Sequence, residues 1–163
     1  TINFEELKLN YENYLKKIKS KNGSSIMYTI YLISVLSNFF FKKDFFGFSN
    51  TKIHLSDINK FVEFNWIKGL RVINENKFDY DVQISSESLN YIFLYEWGIG
   101  SLMINGRGNY DSEYKRWKFN RIFSLGQINS TGKTLSKKIF EKIILKKNIS
   151  LENYESSFFN QFK

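Results

Sequence analysis

The chain has no cysteine, no proline and no alanine, and a single histidine, His54. Without cysteine there is no disulfide framework, no thiolate metal site and no thiol nucleophile, and one histidine does not make a multi-histidine metal centre. No cofactor is implied. Alanine and proline have GC-rich codons, whereas the abundant Lys, Ile, Asn and Phe have AT-rich ones, and only four of the 24 basic residues are arginine. This is the mark of an AT-rich genome, in an organelle or an AT-rich microbe. It puts lysine where a related protein would carry arginine, and it strips the absence of proline of structural meaning. A long apolar run is missing as well. The most apolar stretch, Ile26 to Phe41, contains Thr29, Ser34, Ser37 and Asn38; it falls short of the ~20 apolar residues that cross a bilayer core, so no membrane span is expected. The opening residues show no basic-then-apolar signal pattern.

What is present suits a packed protein: 163 residues, 42% hydrophobic and 25% charged, room for one domain or two small ones sharing a core. The net charge of +8 is concentrated. Ten basic residues (Lys115, Arg116, Lys118, Arg121, Lys133, Lys137, Lys138, Lys142, Lys146, Lys147) face two acids, Glu113 and Glu141, between Glu113 and Lys147, and the rest of the chain is balanced. A chain that gathers its excess charge in one stretch is suited to a polyanion, either nucleic-acid phosphate or anionic lipid.

Hydrophobic spacing sets out the elements. Leu7, Tyr11, Tyr14, Leu15 and Ile18 recur at helical intervals between Phe4 and Ser20, with Lys8, Lys16, Lys17 and Lys19 mainly between them. Turn formers at Lys21 to Ser25 precede a second helix, about Ile26 to Phe40. Strands are expected at Thr51 to Leu55 and Phe61 to Ile67, with a hairpin turning at Lys68-Gly69, and again at Tyr80 to Ile84. A helix from about Ser86 to Glu96 is expected to stop at Trp97-Gly98-Ile99-Gly100. Strands at Ser101 to Ile104 and Arg121 to Leu125 would then close a small sheet, and a basic helix is expected at about Thr134 to Lys147.

Several stretches bear on chemistry. Asn129 to Thr134 ends in Gly-Lys-Thr, but five residues separate Gly126 from Gly132-Lys133 where a nucleotide-binding loop needs four. The segment reads as a linker with a helix cap at Thr131 or Thr134. Asp79, Asp81, Glu87, Glu96, Asp111 and Glu113 form no spacing that fixes two carboxylates on one face. His54, between Ile53 and Leu55, reads as a strand residue. The loop Asn105-Gly106-Arg107-Gly108-Asn109 is sharper: its glycines allow close backbone approach, Arg107 offers a planar fork for phosphate, and the asparagines offer amides for base edges or sugar hydroxyls. Lys115, Arg116, Lys118 and Arg121 then interleave with Tyr114, Trp117 and Phe119, a pattern suited to RNA held by charge and stacking.

With these residues placed, the chain resembles the bacterial S-eight family of small ribosomal subunit proteins, in an organellar, mitochondrial form. Leu15-Lys16-Lys17-Ile18-Lys19 is similar to the family's Leu-x-Arg-Ile-Arg pattern in its first helix. Val35-Leu36 with Phe39 to Phe41 resembles the end of its second helix, and Trp66 to Ile73 its aromatic-Phe-x-Gly-Lys-x-Val-Ile hairpin. Val82 to Gly108 resembles the strand, helix, Gly-x-Gly and strand before its Ser-Thr-Ser loop, with Asp111-Ser112 near its Thr-Asp; Ile104-Asn105-Gly106 stands in place of the triplet. Residues after about Ile128 have no counterpart.

The expected fold is therefore α+β. A first subdomain, residues 1–74, would have the helix-strand-helix-hairpin order that the resemblance implies, and a second, 75–128, a short helix against a short antiparallel sheet; 129–163 would be a basic helical extension. The resemblance implies a noncatalytic constituent of the small ribosomal subunit in the mitochondrial matrix, bound to the central domain of its rRNA rather than to DNA. The RNA-binding candidates are Lys16, Lys17, Lys19, Asn105 to Asn109, Lys115, Arg116, Lys118, Arg121, Lys133, Lys137 and Lys138. The extension, through Leu135, Ile139 and Ile143, would meet neighbouring ribosomal proteins or the body of the chain. The alternatives are a mobile-element nuclease using dispersed acids and a peripheral protein binding anionic membrane.

Overall fold

In a computed structural model of the chain, residues 1–26, 28–33, 51–65, 69–73 and 80–144 are described. The first helix, α1 (Phe4–Asn22), is capped by Asn3, whose side chain accepts from the Glu6 backbone N–H. Acids stand in its first turn and Lys19 and Lys21 in its last, the arrangement that the helix dipole favours. Leu7, Tyr11, Tyr14 and Ile18 face inward as expected, joined by Asn22, while Leu15 is half-buried. Residues 28–33 are helical, α2, with Tyr28 and Tyr31 buried; the remainder of the expected second helix lies outside the described residues.

The strands β1 (Thr51–Leu55), β2 (Lys60–Asn65), β3 (Gly69–Val72) and β4 (Val82–Ile84) form one sheet in the order β3-β2-β1-β4. The first three pair antiparallel and β4 runs parallel to β1. The expected hairpin forms, with Gly69 paired to Asn65 as the first residue of β3; residues 66–68, which include Lys68 of the expected turn, lie outside the described residues. Alternation holds in β1, where Thr51, Ile53 and Leu55 are buried while Lys52 and His54 are half-buried. The remaining elements are α3 (Ser86–Leu94), α4 (Gly98–Ile104), α5 (Glu113–Ser130) and α6 (Lys137–Ile144). Helices and a small mixed sheet make this an α+β fold.

Three expectations are corrected. Between α1 and α2 there is no strand, only the turn at Gly23 to Ser25, and the strands follow both helices. Ser101 to Ile104 is helical: Ile99 and Leu102 turn inward at a three-residue interval, and the glycines thought to stop a helix instead let α4 pack closely. A Cβ at Gly98 would lie 2.7 Å from the Tyr91 carbonyl oxygen, and one at Gly100 would lie 2.9 Å from the Gln127 side-chain amide. Arg121 to Leu125 belongs to α5, whose Ser112 cap accepts from the Lys115 N–H and whose Phe119, Ile122, Phe123, Gly126 and Asn129 are buried at helical spacing. Among the described residues of 75–128, β4 is therefore the one strand and α3, α4 and α5 are the helices, in place of an antiparallel sheet with a short helix.

One cluster of buried side chains runs from Leu7 to Leu135 and is notably aromatic. Phe64 of β2 meets Tyr11 of α1 at 4.8 Å and Phe123 of α5 at 5.0 Å between ring centroids, and Phe119 meets Phe123 at 5.1 Å. Edge and tilted contacts of this kind add about 0.5–1.5 kcal/mol each beyond the area they bury. A buried amide pair fixes the path towards the basic extension. The Asn22 side chain donates to the Ile18 carbonyl and to Asn129, and accepts from the Leu135 N–H; Asn129 donates to the Lys133 carbonyl. The cap of α6 is Ser136, which accepts from the Ile139 N–H, rather than Thr131 or Thr134. Leu135 is fully buried, and Ile139 and Phe140 pack on the core, so this part of the extension docks on the body of the chain. Residues 145–163 lie outside the described residues.

Candidate nucleic-acid interface

The Asn105 to Asn109 loop forms as α4 ends. Gly106 takes φ +61°, a backbone region that side chains other than glycine rarely adopt, and reverses the chain. The Arg107 N–H donates back to the Leu102 carbonyl at 3.2 Å. Asn109 then exchanges both backbone hydrogen bonds with Gln83, each 2.9 Å, which ties the base of the loop to the edge of β4. Gly108 serves the chain itself: a Cβ there would stand 2.6 Å from the Tyr110 hydroxyl. Burial pushes the Tyr110 phenol up to about 12, with Arg116 pulling the other way. The result is an anchored loop whose tip, Asn105, Gly106 and Arg107, is exposed, and among the described residues no carboxylate pairs with Arg107.

Beside the loop opens a shallow cleft of about 690 Å³, lined by Ser56, Gln83, Ile84, Ser85, Ser88 and residues 106–109. Ser85 caps α3, accepting from the Ser88 N–H at 3.1 Å, and its hydroxyl donates to that of Ser88 at 2.9 Å. Hydroxyls, a side-chain amide and a guanidinium from three segments therefore converge on one concave surface. This set can grip a phosphate and read sugar hydroxyls, which is how folded RNA is recognised. Ser56, Gln83, Ser85 and Ser88 carried no sequence signal for such a role; the serines of 85–88 read only as a helix start.

The basic run after the loop has a different fate. Lys115 donates to the Asp111 carboxylate and the Tyr80 carbonyl, at 2.9 and 2.8 Å. Lys118 pairs with Asp81 at 2.8 Å, both side chains nearly buried, and Arg116 lies 3.7 Å from Glu113. Arg121 is buried with its guanidinium 4.6 Å from the Trp117 ring centre, and Phe119 is in the core. Tyr114 alone of the three interleaved aromatics is well exposed. A helix turns residues 119, 122 and 123 inward, whereas the expected strand would have alternated them.

Lys16, Lys17 and Lys19 are exposed on α1, but 100° per residue spreads them over nearly half of the helix surface. Lys133, Lys137 and Lys138 are exposed at the start of the extension. The acids weighed for hydrolysis are engaged elsewhere: Asp81 with Lys118, Glu96 with Lys21, Asp111 with Lys115, Glu113 with Arg116. Asp79 lies outside the described residues, among which no group of three or more His, Asp or Glu side chains is placed to hold a metal ion. His54 stacks on Phe61 at 4.5 Å and its Nε2 lies 3.2 Å from Asn59. No described helix is long and apolar enough to cross a membrane.

Compared with known proteins, the chain matches no family model, no curated protein and no solved structure.

Proposed function

We propose that this chain binds folded RNA without catalysing a reaction, as a constituent of a small ribosomal subunit that holds the central domain of its rRNA in shape. One observation carries the reading: an anchored, exposed Arg107 loop beside a cleft of hydroxyl and amide groups, with no carboxylate paired to the guanidinium among the described residues. The exposed lysines of α1 and of residues 133–138 supply sequence-independent attraction to phosphate, and the loop and cleft read shape. The order of the four stretches similar to the S-eight family supports the ribosomal setting. The helices α4 and α5, in place of the strands that the resemblance implied, mean that the RNA is met by a loop on a helical support. The mitochondrial matrix and neighbouring ribosomal proteins complete the proposal, while Leu135 and Ile139 of the extension are taken up by the body of the chain.

The test is sedimentation of the native protein. It should travel with the small ribosomal subunit and leave it only at high salt. Free sedimentation at low salt, or metal-dependent cleavage of RNA or DNA by the purified chain, overturns the reading. Binding to anionic vesicles that survives ribonuclease treatment would favour the membrane alternative instead.

A further inference from the structure

At the far end of α4 from Arg107, three aromatic rings meet at the surface. Tyr95 and Trp97 are 43% and 48% exposed, and neighbouring Leu94 is 47% exposed. Ring centroids lie 4.8 Å apart for Tyr91 and Tyr95, 5.2 Å for Tyr95 and Trp97, and 5.4 Å for Tyr91 and Trp97. The local backbone holds them outward. Tyr95, closing α3, is extended at φ −121° and ψ 123°, so Tyr95 and Glu96 project to opposite sides. Glu96 turns in, with its side chain 8% exposed, and is held there by Lys21 at 2.7 Å. The Gly98 N–H donates to the Tyr95 carbonyl at 2.8 Å, and Gly98 is pressed against the Tyr91 backbone, so the turn carrying Trp97 is tightly braced. Exposed aromatic faces are costly in water, and this geometry fixes two of them in place.

The charges near the rings leave lysine unopposed: Glu87, one turn before Tyr91 on α3, is paired with the N-terminal amine at 2.7 Å. Lys17 stands one helical turn before Lys21 on α1, exposed on the same flank, and the carboxylate within the cluster, Glu96, is turned away and ion-paired. Cation-flanked π faces suit bases, which stack on any aromatic plane while their phosphates meet lysine. From this we infer that Tyr95 and Trp97, backed by Tyr91, form a stacking platform for unpaired bases of RNA, with Lys17 meeting the adjoining phosphate. The inference rests on the RNA reading above and adds a ligand form to it, single-stranded RNA. The platform and the Arg107 loop stand at opposite ends of α4 (Gly98–Ile104), which is about 10 Å long at ~1.5 Å per residue, a span that one RNA strand covers.

The test measures affinity of the full chain, by fluorescence anisotropy at low salt, for a short labelled oligouridylate and for an RNA duplex. Trp97→Leu and Tyr95→Leu are surface changes whose thermal melts should match the parent. Each should weaken oligouridylate binding between about fivefold and a hundredfold, leave the duplex unchanged, and be largely reversed in Trp97→Phe. Unchanged oligouridylate affinity in both leucine variants, with Arg107→Ala still weakening RNA, defeats the platform and leaves the RNA reading standing; the patch then serves a protein contact. Equal losses on both RNAs also defeat it. If the parent binds neither RNA, the RNA reading itself falls.

Discussion

The loop at 105–109 and the first turns of α5 at 113–121 are neighbours in sequence and both basic, yet they present their charge in opposite ways. In α5, three cations are held by acids of the same chain and the fourth, Arg121, is buried on Trp117. In the loop, one cation projects into solvent beside a polar cleft. Formal charge counted along a sequence is therefore not the charge a partner meets. The densest basic run is mostly internal structure, and a sparse loop carries the accessible guanidinium.

The strongest way to break this contrast is at Lys118. Its pair with Asp81 is nearly buried, and the Asp81 carboxylate also accepts from the Lys52 N–H at 2.9 Å. Lys118→Met leaves a buried carboxylate without its cation, which should cost about 3–5 kcal/mol of stability in urea unfolding, while the folded protein keeps its RNA affinity. Normal stability with weakened RNA binding would mean that Lys118 faces the partner, and the contrast would collapse.

Arg107→Ala should do the reverse. The thermal melt should not move, and cognate RNA should bind more weakly by about 1–3 kcal/mol, unequally across RNA sequences. A loss of the same size on every RNA would show that Arg107 supplies charge alone.

Salt dependence sharpens the comparison for the lysines. Lys137 and Lys138 are exposed, whereas Lys115 is held by Asp111 and the Tyr80 carbonyl. If the chain meets about six phosphates, the log-log slope of affinity against salt should be roughly −4 to −5. Changing Lys137 and Lys138 together to glutamine should flatten it by about 1.4–1.8, and Lys115→Gln should leave it unaltered. A larger change from Lys115 would return α5 to the interface.

Much of the fold was legible where periodicity ran long or was bounded by strong turn formers: α1, the β2–β3 hairpin, β1, β4, α3 and a C-terminal helix. The misreadings have physical causes. Ser101 to Ile104 is too short for its period to separate strand from helix, and Gly98 and Gly100 signal a stop equally well as a close approach. Arg121 to Leu125 looks like a strand because Arg121, Asn120 and Asn129, polar residues buried within α5, blur the helical stripe. The Arg107 loop was legible because two glycines around an arginine are a local signal. The tethering of Lys118, and the second hold on Lys115, were not, since Asp81 and Tyr80 stand 37 and 35 residues away and only the fold brings them together. For the same reason the exposure of Tyr95 and Trp97 could not be read: an inward Glu96 depends on Lys21, 75 residues off.

The smallest effect concerns an acid on the loop's side of the contrast. Asp57 follows Ser56 at the rim of the cleft, and its carboxylate accepts from the Ser86 backbone N–H at 2.8 Å and from the Ser86 hydroxyl. Burial raises its affinity for a proton, but the two Ser86 hydrogen bonds, with its own backbone N–H and the N-terminal ammonium, together outweigh that, and the carboxyl lies below its ordinary value. A carboxylate lowered on folding stabilises the native state above its unfolded value, near 4, and that contribution disappears as pH falls through the lowered folded value. Asp57→Asn keeps an acceptor for Ser86 but not the charge. It should cost about 1 kcal/mol or less at neutral pH, the scale of a weakened helix cap, and the difference from the parent should close as the medium is acidified below about pH 4. A difference independent of pH would show that the carboxylate charge contributes nothing to holding α3. If Asp57→Asn also raises RNA affinity, the acid repels phosphate at the cleft despite its bonds to Ser86; unchanged affinity means that those bonds draw its charge into the fold, as the pairs of α5 do with their lysines.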